Sequence, residues 1–182
     1  MPTDLGPALL AIARQGIESS LGISCSPPEI PAEAHAPGAA FVTLTRATQL
    51  RGCIGSLEAW RPLHEDVRHN AIAAAFRDPR FPPMAREEWA EVRIEVSVLG
   101  APVLLLVTDE ADLLSQLRPE HDGLILELGP RRATFLPQVW ESLPQPAQFL
   151  AHLKQKAGLP VNFWSPELRF YRYKVDAWKE IR

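Results

Sequence analysis

Phe41-Val-Thr-Leu-Thr-Arg46 and Leu50-Arg-Gly-Cys-Ile-Gly-Ser-Leu57 are the two stretches that decide the predicted fold. The first is rich in residues that favour β-structure and predicts a strand. The short segment Ala47-Thr48-Gln49 predicts a turn into a second strand over the second stretch. Two strands joined so closely must run antiparallel. The region therefore predicts a β-hairpin.

Regular alternation in the second strand predicts a cation beside a thiol. Arg51, Cys53 and Gly55 would share one face of an extended segment. A guanidinium next to a thiol favours the thiolate, which attacks electrophiles, and it also binds anionic groups. We therefore expect Cys53 as a reactive thiol and Arg51 as a substrate-binding residue. The alternative is that Cys53 simply packs, and Gly52 and Gly55 predict either room for a ligand or a β-bulge.

The remaining patterns predict helices and strands in turn. A helix over residues 4–21, with Thr3 or Asp4 as its cap, precedes a proline-rich irregular loop. After the hairpin, periodicity and end signals predict a helix from Arg61 to Phe76, a strand over Val92–Leu99, an apolar run over Leu104–Val107, a helix over Glu110–Leu117, a hairpin over residues 123–136, a helix from Pro146 that ends before Gly158, and a strand over Leu168–Val175.

The order of these elements predicts an α+β fold with mostly antiparallel sheet. Residues 41–99 and 123–175 each have the order hairpin, helix, strand, so the two halves are pseudo-duplicated. We predict one domain over residues 1–182: a helix and proline-rich loop over 1–40, a first half over 41–100 and a second half over 101–182. A ligand cleft is expected between the halves.

Composition narrows the class of protein. The 182 residues carry a net charge of −3, which disfavours nucleic acid and anionic membranes as partners. The sequence has no apolar run of membrane-spanning length and no signal-peptide pattern, so a cytoplasmic location is expected. The two cysteines, Cys25 and Cys53, make no disulfide framework. Because HExxH, CxxC and phosphate-loop motifs are absent, no metal or other cofactor is predicted.

Four further residues are candidates for the site. Glu95 lies on the polar face of its strand, where it is either the ion-pair partner of Arg51 or a general base for Cys53. His121 occupies a turn and is a candidate for acid or base catalysis, with a local hydrogen bond as the alternative. Asp122 and Gly123, in the same turn, are candidates for substrate binding.

Two other groups have a structural and a functional interpretation. Asp78, Arg80 and Phe81 are interpreted as the end of a helix with a local ion pair, and the alternative is a polar wall beside the strand. Tyr171 and Tyr173, among basic residues, imitate a stacking platform for single-stranded nucleic acid. Packing within a sheet is the preferred interpretation of these tyrosines.

Several motifs together resemble the AMMECR-type domain, and more narrowly its branch called AmmeMemoRadiSam system protein A. They are, in order, Leu50-Arg-Gly-Cys-Ile-Gly55, Asn70-Ala-Ile-Ala-Ala-Ala-Phe76, Asp78-Pro-Arg-Phe81, Ile94-Glu-Val-Ser-Val-Leu99, His121-Asp-Gly123, Phe135-Leu-Pro-Gln-Val-Trp140 and Lys156-Ala-Gly158. The resemblance covers nearly all of the chain after residue 40. It implies an α/β domain of two unequal lobes and a genomic association with a Memo-like protein and a radical SAM protein. It implies no settled reaction.

Two hypotheses about function follow. In the first, the chain is an enzyme or enzyme component in which Cys53 reacts with a small anionic substrate, Arg51 orients that substrate, and Glu95 or His121 moves protons. In the second, the chain is a ligand-binding or adaptor module without catalysis, in which Cys53 only packs. Replacement of Cys53 is tolerated only in the second.

Overall fold

The computed structural model describes residues 5–181, and Thr3 and Asp4, the expected helix caps, lie outside this range. The chain forms two compact units. The first runs up to Leu99 and resumes at Asp176, and the second spans Gly100–Val175. The interpretation of the chain as one domain with two halves stays a prediction.

Single α-helices separate groups of two or three strands along the described residues. The α-helices are α1 (Leu5–Ser20), α2 (Leu63–Phe76), α3 (Glu110–Gln116) and α4 (Pro146–Lys156), and 3₁₀ turns occupy Ala32–His35, Arg86–Glu91 and Pro137–Glu141. The strands are β1 (Pro37–Arg46), β2 (Gln49–Gly55), β3 (Arg61–Pro62), β4 (Val92–Leu99), β5 (Val103–Leu105), β6 (Gly123–Leu128), β7 (Arg131–Phe135), β8 (Arg169–Tyr173) and β9 (Val175–Lys179).

The first unit is a sheet with two helices packed on it. Its strands have the order β2-β1-β4-β9, and β3 pairs with the start of β1. Helix α2 packs against β1 and β2, and α1 packs against α2 and β4. Alternate residues of β1, Ala40, Val42 and Leu44, are fully buried and join the core with the apolar faces of both helices. The other face of β1 carries Phe41, Thr43 and Thr45.

A buried polar network fixes α2 to the sheet. The carboxylate of Asp66 accepts hydrogen bonds from the backbone N–H of Ala40 at 2.9 Å and from the Ser56 hydroxyl at 2.7 Å. The Asn70 amide donates to Asp66 at 3.1 Å and to the Ala40 carbonyl at 2.9 Å. Arg61 Nε lies 3.2 Å from Asp66, so every buried polar group here has a partner.

The second unit has its own antiparallel sheet, of order β5-β8-β6-β7. Trp140 stacks on Phe149 of α4 with 3.7 Å between ring centroids, at the centre of a separate apolar core. Lys154 of α4 is fully buried, and its Nζ donates to Glu110 at 2.5 Å and to the Val161 carbonyl at 3.1 Å. The buried charge is therefore paired.

The predicted α+β fold is confirmed, and the duplication extends to sheet order. In each unit the first strand of the hairpin is central, with its hairpin partner on one side and the strand after the helix on the other. These trios are β2-β1-β4 and β7-β6-β8. None of the helices in residues 5–181 combines the length and the apolar character needed to span a membrane.

Three predicted boundaries are wrong. β1 begins at Pro37 rather than Phe41, and Arg61–Pro62 is a strand rather than the start of α2, because these two segments pair with each other. The expected final strand over Leu168–Val175 is β8 followed by a separate strand, β9, which joins the sheet of the first unit. Pairing with distant segments decides all three.

Candidate functional site

A β-bulge interrupts the alternation of β2 at Arg51. Cys53 pairs with Thr43 and Gly52 with Leu44, but the next pair is Leu50 with Thr45, so Arg51 is an additional residue without a partner in β1. The pairing places Leu50 on the face of Cys53. The regular alternation predicted for Arg51 and Cys53 is therefore interrupted at this point of β2.

The Arg51 side chain binds other residues than those expected. Its Nε donates to Glu88 Oε1 at 2.6 Å, and its Nη2 donates to the Pro82 carbonyl at 2.9 Å. The side chain is only 10% exposed, and its Nη1 has no hydrogen-bond partner among residues 5–181. Of the two alternatives for Glu95, the ion pair with Arg51 is wrong, since Glu95 pairs with Lys179 Nζ at 3.2 Å.

The arginine at Cys53 is Arg80. Its Nη2 donates to the Cys53 carbonyl at 3.2 Å, while the Cys53 backbone N–H donates to Asp78 Oδ2 at 2.9 Å. The half-buried Cys53 thiol lies 3.3 Å from the Thr43 hydroxyl. The loop that follows α2 is thus joined to β2 at the cysteine, and it brings a guanidinium there.

Asp78 holds Arg80 in this position. The Asp78 side chain is 1% exposed and accepts hydrogen bonds from Arg80 Nε at 3.0 Å and Nη2 at 2.7 Å. Arg80, aided by the backbone N–H of Cys53, holds the pKa of Asp78 well below its usual range against the opposing effect of burial. The same ion pair raises the pKa of Arg80. The Arg80 side chain is 54% exposed, so it keeps donors free for a ligand.

The two interpretations of the Asp78–Phe81 segment are both realised. The predicted local ion pair is confirmed, and the same residues also line β2. The Phe81 ring lies 5.5 Å from the Arg80 guanidinium and 5.8 Å from that of Arg51. The sequence pattern predicts the ion pair of Asp78 with Arg80 but gives no signal for their contact with Cys53.

Glu95 shares a row with Cys53 but is not adjacent to it. Thr43 of the central strand pairs with Cys53 on one side and Glu95 on the other, so all three lie on one face of the sheet. Two strand spacings of ~4.8 Å separate the backbones of Cys53 and Glu95. Glu95 therefore does not hydrogen-bond to the thiol, and direct proton transfer between them has no support in this geometry.

The glycines of β2 permit close packing. A Cβ on Gly52 would overlap the Ala74 carbonyl of α2, and a Cβ on Gly55 would overlap the Phe41 ring. The protein itself thus fills the space beside both residues. Of the two interpretations of these glycines, the contacts favour packing, with the bulge beside Gly52.

The other predicted site residues belong to the second unit, whereas Cys53, Arg51 and Glu95 belong to the first. His121 is an exposed turn residue whose backbone N–H donates to the Arg118 carbonyl at 3.2 Å. Asp122 is fully buried and accepts from the Arg118 backbone N–H at 2.9 Å. Gly123 packs under the ring of Tyr173. Asp122 therefore has polar partners and Gly123 permits close packing within their own unit, and their part in substrate binding stays a prediction.

The contacts also decide between the two interpretations of the tyrosines. Tyr173 is buried, and its hydroxyl lies 2.9 Å from that of Thr134, so Tyr171 and Tyr173 form no exposed stacking platform. The Cys25 thiol lies 3.5 Å from the Ser19 hydroxyl. Residues 5–181 contain no group of three or more His, Cys, Asp or Glu side chains that could hold a metal ion.

The fold and site define an α+β protein with a half-buried thiol on a sheet face and an aspartate-held arginine beside it. The chain belongs to the AMMECR1 family, whose model matches residues 10–178. A protein of Methanothermobacter thermautotrophicus is 40% identical over an alignment of 186 residues, gaps included, that covers 97% of this chain and 95% of that relative. Protein MJ0810 of Methanocaldococcus jannaschii is 40% identical over 139 residues, covering 73% of this chain and 67% of the relative.

A solved structure has the same fold. The crystal structure of the uncharacterized protein PH0010 from Pyrococcus horikoshii is similar with a TM-score of 0.86 and 35% identity, and the match covers 99% of this chain and 93% of PH0010. The names of these relatives state no reaction, ligand or partner.

Proposed function

We propose that this AMMECR1-family chain is an enzyme or enzyme component in which the Cys53 thiol reacts with a small anionic substrate. Arg80, rather than Arg51, is the cation that attracts the substrate. The observation that carries the proposal is the position of Arg80: its Nη2 is bonded to the Cys53 carbonyl while 54% of its side chain remains exposed. A charge held rigidly beside a thiol raises the local concentration of anionic reactants.

The contacts around the thiol suit nucleophilic attack. The Thr43 hydroxyl lies 3.3 Å from Cys53 Sγ, within hydrogen-bond reach of the reacting sulfur. In the reaction, a sulfur–carbon bond forms, the leaving group departs with its electron pair, and the thiol proton passes to water. Asp78 fixes the guanidinium by two hydrogen bonds, so little ordering of Arg80 is needed when a substrate binds.

The test compares two alkylating reagents of similar size and different charge. In a Cys25→Ser background, the rate of Cys53 alkylation is measured with anionic iodoacetate and neutral iodoacetamide across pH. Arg80→Gln should lower the ratio of the iodoacetate rate to the iodoacetamide rate about fivefold, the effect of one charge at about 4 Å in a water-like medium. The matched control is Arg77→Gln, which removes an exposed charge from the same loop.

Two results would contradict the proposal. Equal rate ratios in the Arg80 and Arg77 variants would mean that Arg80 does not guide anions to the thiol. A Cys53 that reacts only when the protein unfolds would be a packing residue.

A ligand-binding or adaptor module without catalysis is the second candidate. It is favoured by the surroundings of the thiol, because the Thr43 hydroxyl is its one hydrogen-bond partner in the part of the chain described, and no carboxylate or imidazole bonds to it there. Cys53→Ser distinguishes the candidates once a ligand is known. Binding survives the change in a module, whereas turnover is lost in the enzyme.

We propose further that the chain belongs to the AmmeMemoRadiSam branch of the family. In this proposal it works in the cytoplasm, with a Memo-like protein and a radical SAM protein as its partners. Its support is the motif order from Leu50 to Gly158 and the presence of two free cysteines. The test is co-purification of the tagged chain with each candidate partner from the same genome. Recovery of neither partner at micromolar concentrations would remove this part of the proposal.

A further inference from the structure

A cavity of about 340 Å³ lies within the second unit, at the end of β8 and the start of β5. The residues that line it include three cationic ones, Arg118, Arg172 and Lys174, and two apolar ones, Ala101 and Val103. This volume is in the range of pockets that hold small molecules. None of these residues takes part in the Cys53 site.

The cations of this wall exceed the carboxylates that face them. Arg118 Nη2 lies 3.4 Å from Asp122 Oδ1, and Arg172 Nη1 lies 3.9 Å from Asp122 Oδ2, so one buried carboxylate serves two guanidinium groups. Lys174 is exposed, and no carboxylate among residues 5–181 pairs with it. Three positive charges against one negative charge leave an excess that an anion can balance.

The arginines also keep donors free. Asp122 Oδ1 accepts no hydrogen bond within the described residues, so its contact with Arg118 is an ion pair only. Arg172 donates to the Gln116 carbonyl at 3.2 Å through Nη1, and the described residues show no acceptor for its other side-chain nitrogens. Guanidinium groups with free donors bind carboxylates and phosphates in a bidentate manner.

We propose that this cavity binds a small molecule that has one oxyanion group, a phosphate or a carboxylate, on a short apolar body. The oxyanion contacts Arg118, Arg172 and Lys174, and the apolar body contacts Ala101 and Val103. The proposal is independent of the chemistry at Cys53, so either one can fail without the other.

The test is titration calorimetry of the full chain with phenyl phosphate, benzoate and neutral benzyl alcohol at constant ionic strength. Binding of at least one anion and not of the alcohol is expected, and the stronger anion identifies the oxyanion. Lys174→Gln should weaken that anion about fivefold to tenfold, and Arg172→Gln at least as much. Arg169→Gln is the matched control, because Arg169 is exposed on β8, the strand of Arg172, but does not line the cavity.

Lys174→Gln carries the test even if Arg172→Gln misfolds, since Lys174 is exposed. Equal weakening by Lys174→Gln and Arg169→Gln would reduce the effect to general surface charge and overturn the proposal. A Kd of about 1 mM is the weak end of specific binding. If neither anion binds at a concentration of about 10 mM, ten times that Kd, the proposal is overturned as well.

Discussion

The Cα of Gly52 faces the carbonyl oxygen of Ala74 so closely that a Cβ at residue 52 would overlap it. The obstacle is backbone of α2, which cannot move without shifting the helix. Gly52→Ala should therefore lower the free energy of unfolding by about 1 to 3 kcal/mol, measured by urea denaturation.

Gly16→Ala is the comparison for that change. A Cβ at Gly16 would lie 3.2 Å from Cγ of Arg68, a side chain that can adjust. Alanine also favours a helix interior over glycine by about 1 kcal/mol. The free energy of unfolding of Gly16→Ala should therefore be clearly higher than that of Gly52→Ala. Equal losses of stability in both variants would contradict the close packing of Gly52.

Asp66 should contribute far more to the free energy of unfolding than its position in the first turn of α2 suggests. Asp66→Ala removes the acceptor for Ala40, Ser56 and Asn70 and leaves Arg61 without its ion pair. A loss of about 3 kcal/mol in the free energy of unfolding is expected. Glu65→Ala, which removes the same charge from an exposed neighbour in the same helical turn, should cost no more than about 0.5 kcal/mol. Similar losses in both variants would contradict this prediction.

The Asp78–Arg80 ion pair should make the stability of the protein sensitive to acid. Because the pKa of Asp78 is lowered in the folded state, its contribution is present above the unfolded pKa of about 3.9 and is lost as the pH falls toward the folded pKa. Asp78→Asn should therefore destabilise the protein most near pH 7, and the difference from wild type should shrink below about pH 4. Urea denaturation between pH 7 and 2.5 measures it.

Asp176→Asn, at an exposed carboxylate, controls for the loss of one charge. A constant difference between Asp78→Asn and wild type at every pH would show that Asp78 contributes to stability without a shifted pKa.

Tyr173 should make the protein lose stability in alkali. Burial raises the pKa of Tyr173 to about 12, although its hydrogen bond with Thr134 acts in the opposite direction. The stabilisation is complete below the unfolded pKa of about 10 and is lost as the pH rises toward the folded value. The free energy of unfolding of wild type should thus fall by about 2 kcal/mol more than that of Tyr173→Phe between pH 9 and 12.

Tyr171→Phe is the matched control for this experiment, because Tyr171 is half-buried on the same strand. The expected result is a smaller alkaline loss of stability in Tyr173→Phe than in Tyr171→Phe. If Tyr173→Phe has the same slope as wild type, the hydroxyl of Tyr173 is not the group responsible.

The predicted hairpins, α2 and β4 are confirmed because their signals are local. Alternation over Val92–Leu99 and helical spacing over Leu63–Phe76 lie within the elements themselves. The ion pair of Asp78 with Arg80 was likewise predictable, since the two residues are close in sequence.

The site was only partly predictable because its contacts depend on distant partners. The bulge at Arg51 is a property of the pairing between β1 and β2, and it interrupts the alternation that the strand pattern predicts. The contact of Arg80 with Cys53 forms only when the loop after α2 folds back on β2. An arginine beside the cysteine was thus expected, but Arg51 was the wrong one.

The outer strand of the first sheet, β9, follows the whole of the second unit in the chain. During synthesis, β1, β2 and β4 are made before β9. Ile94 hydrogen-bonds to Glu180 and Gly6 packs against Trp178 in the folded protein, so neither contact can form until β9 and the residue after it have been made. The second unit is one uninterrupted segment and can complete its sheet as soon as β8 has emerged. The sheet that bears the thiol therefore begins before the second unit in the chain and gains its outer strand only after that unit has been made.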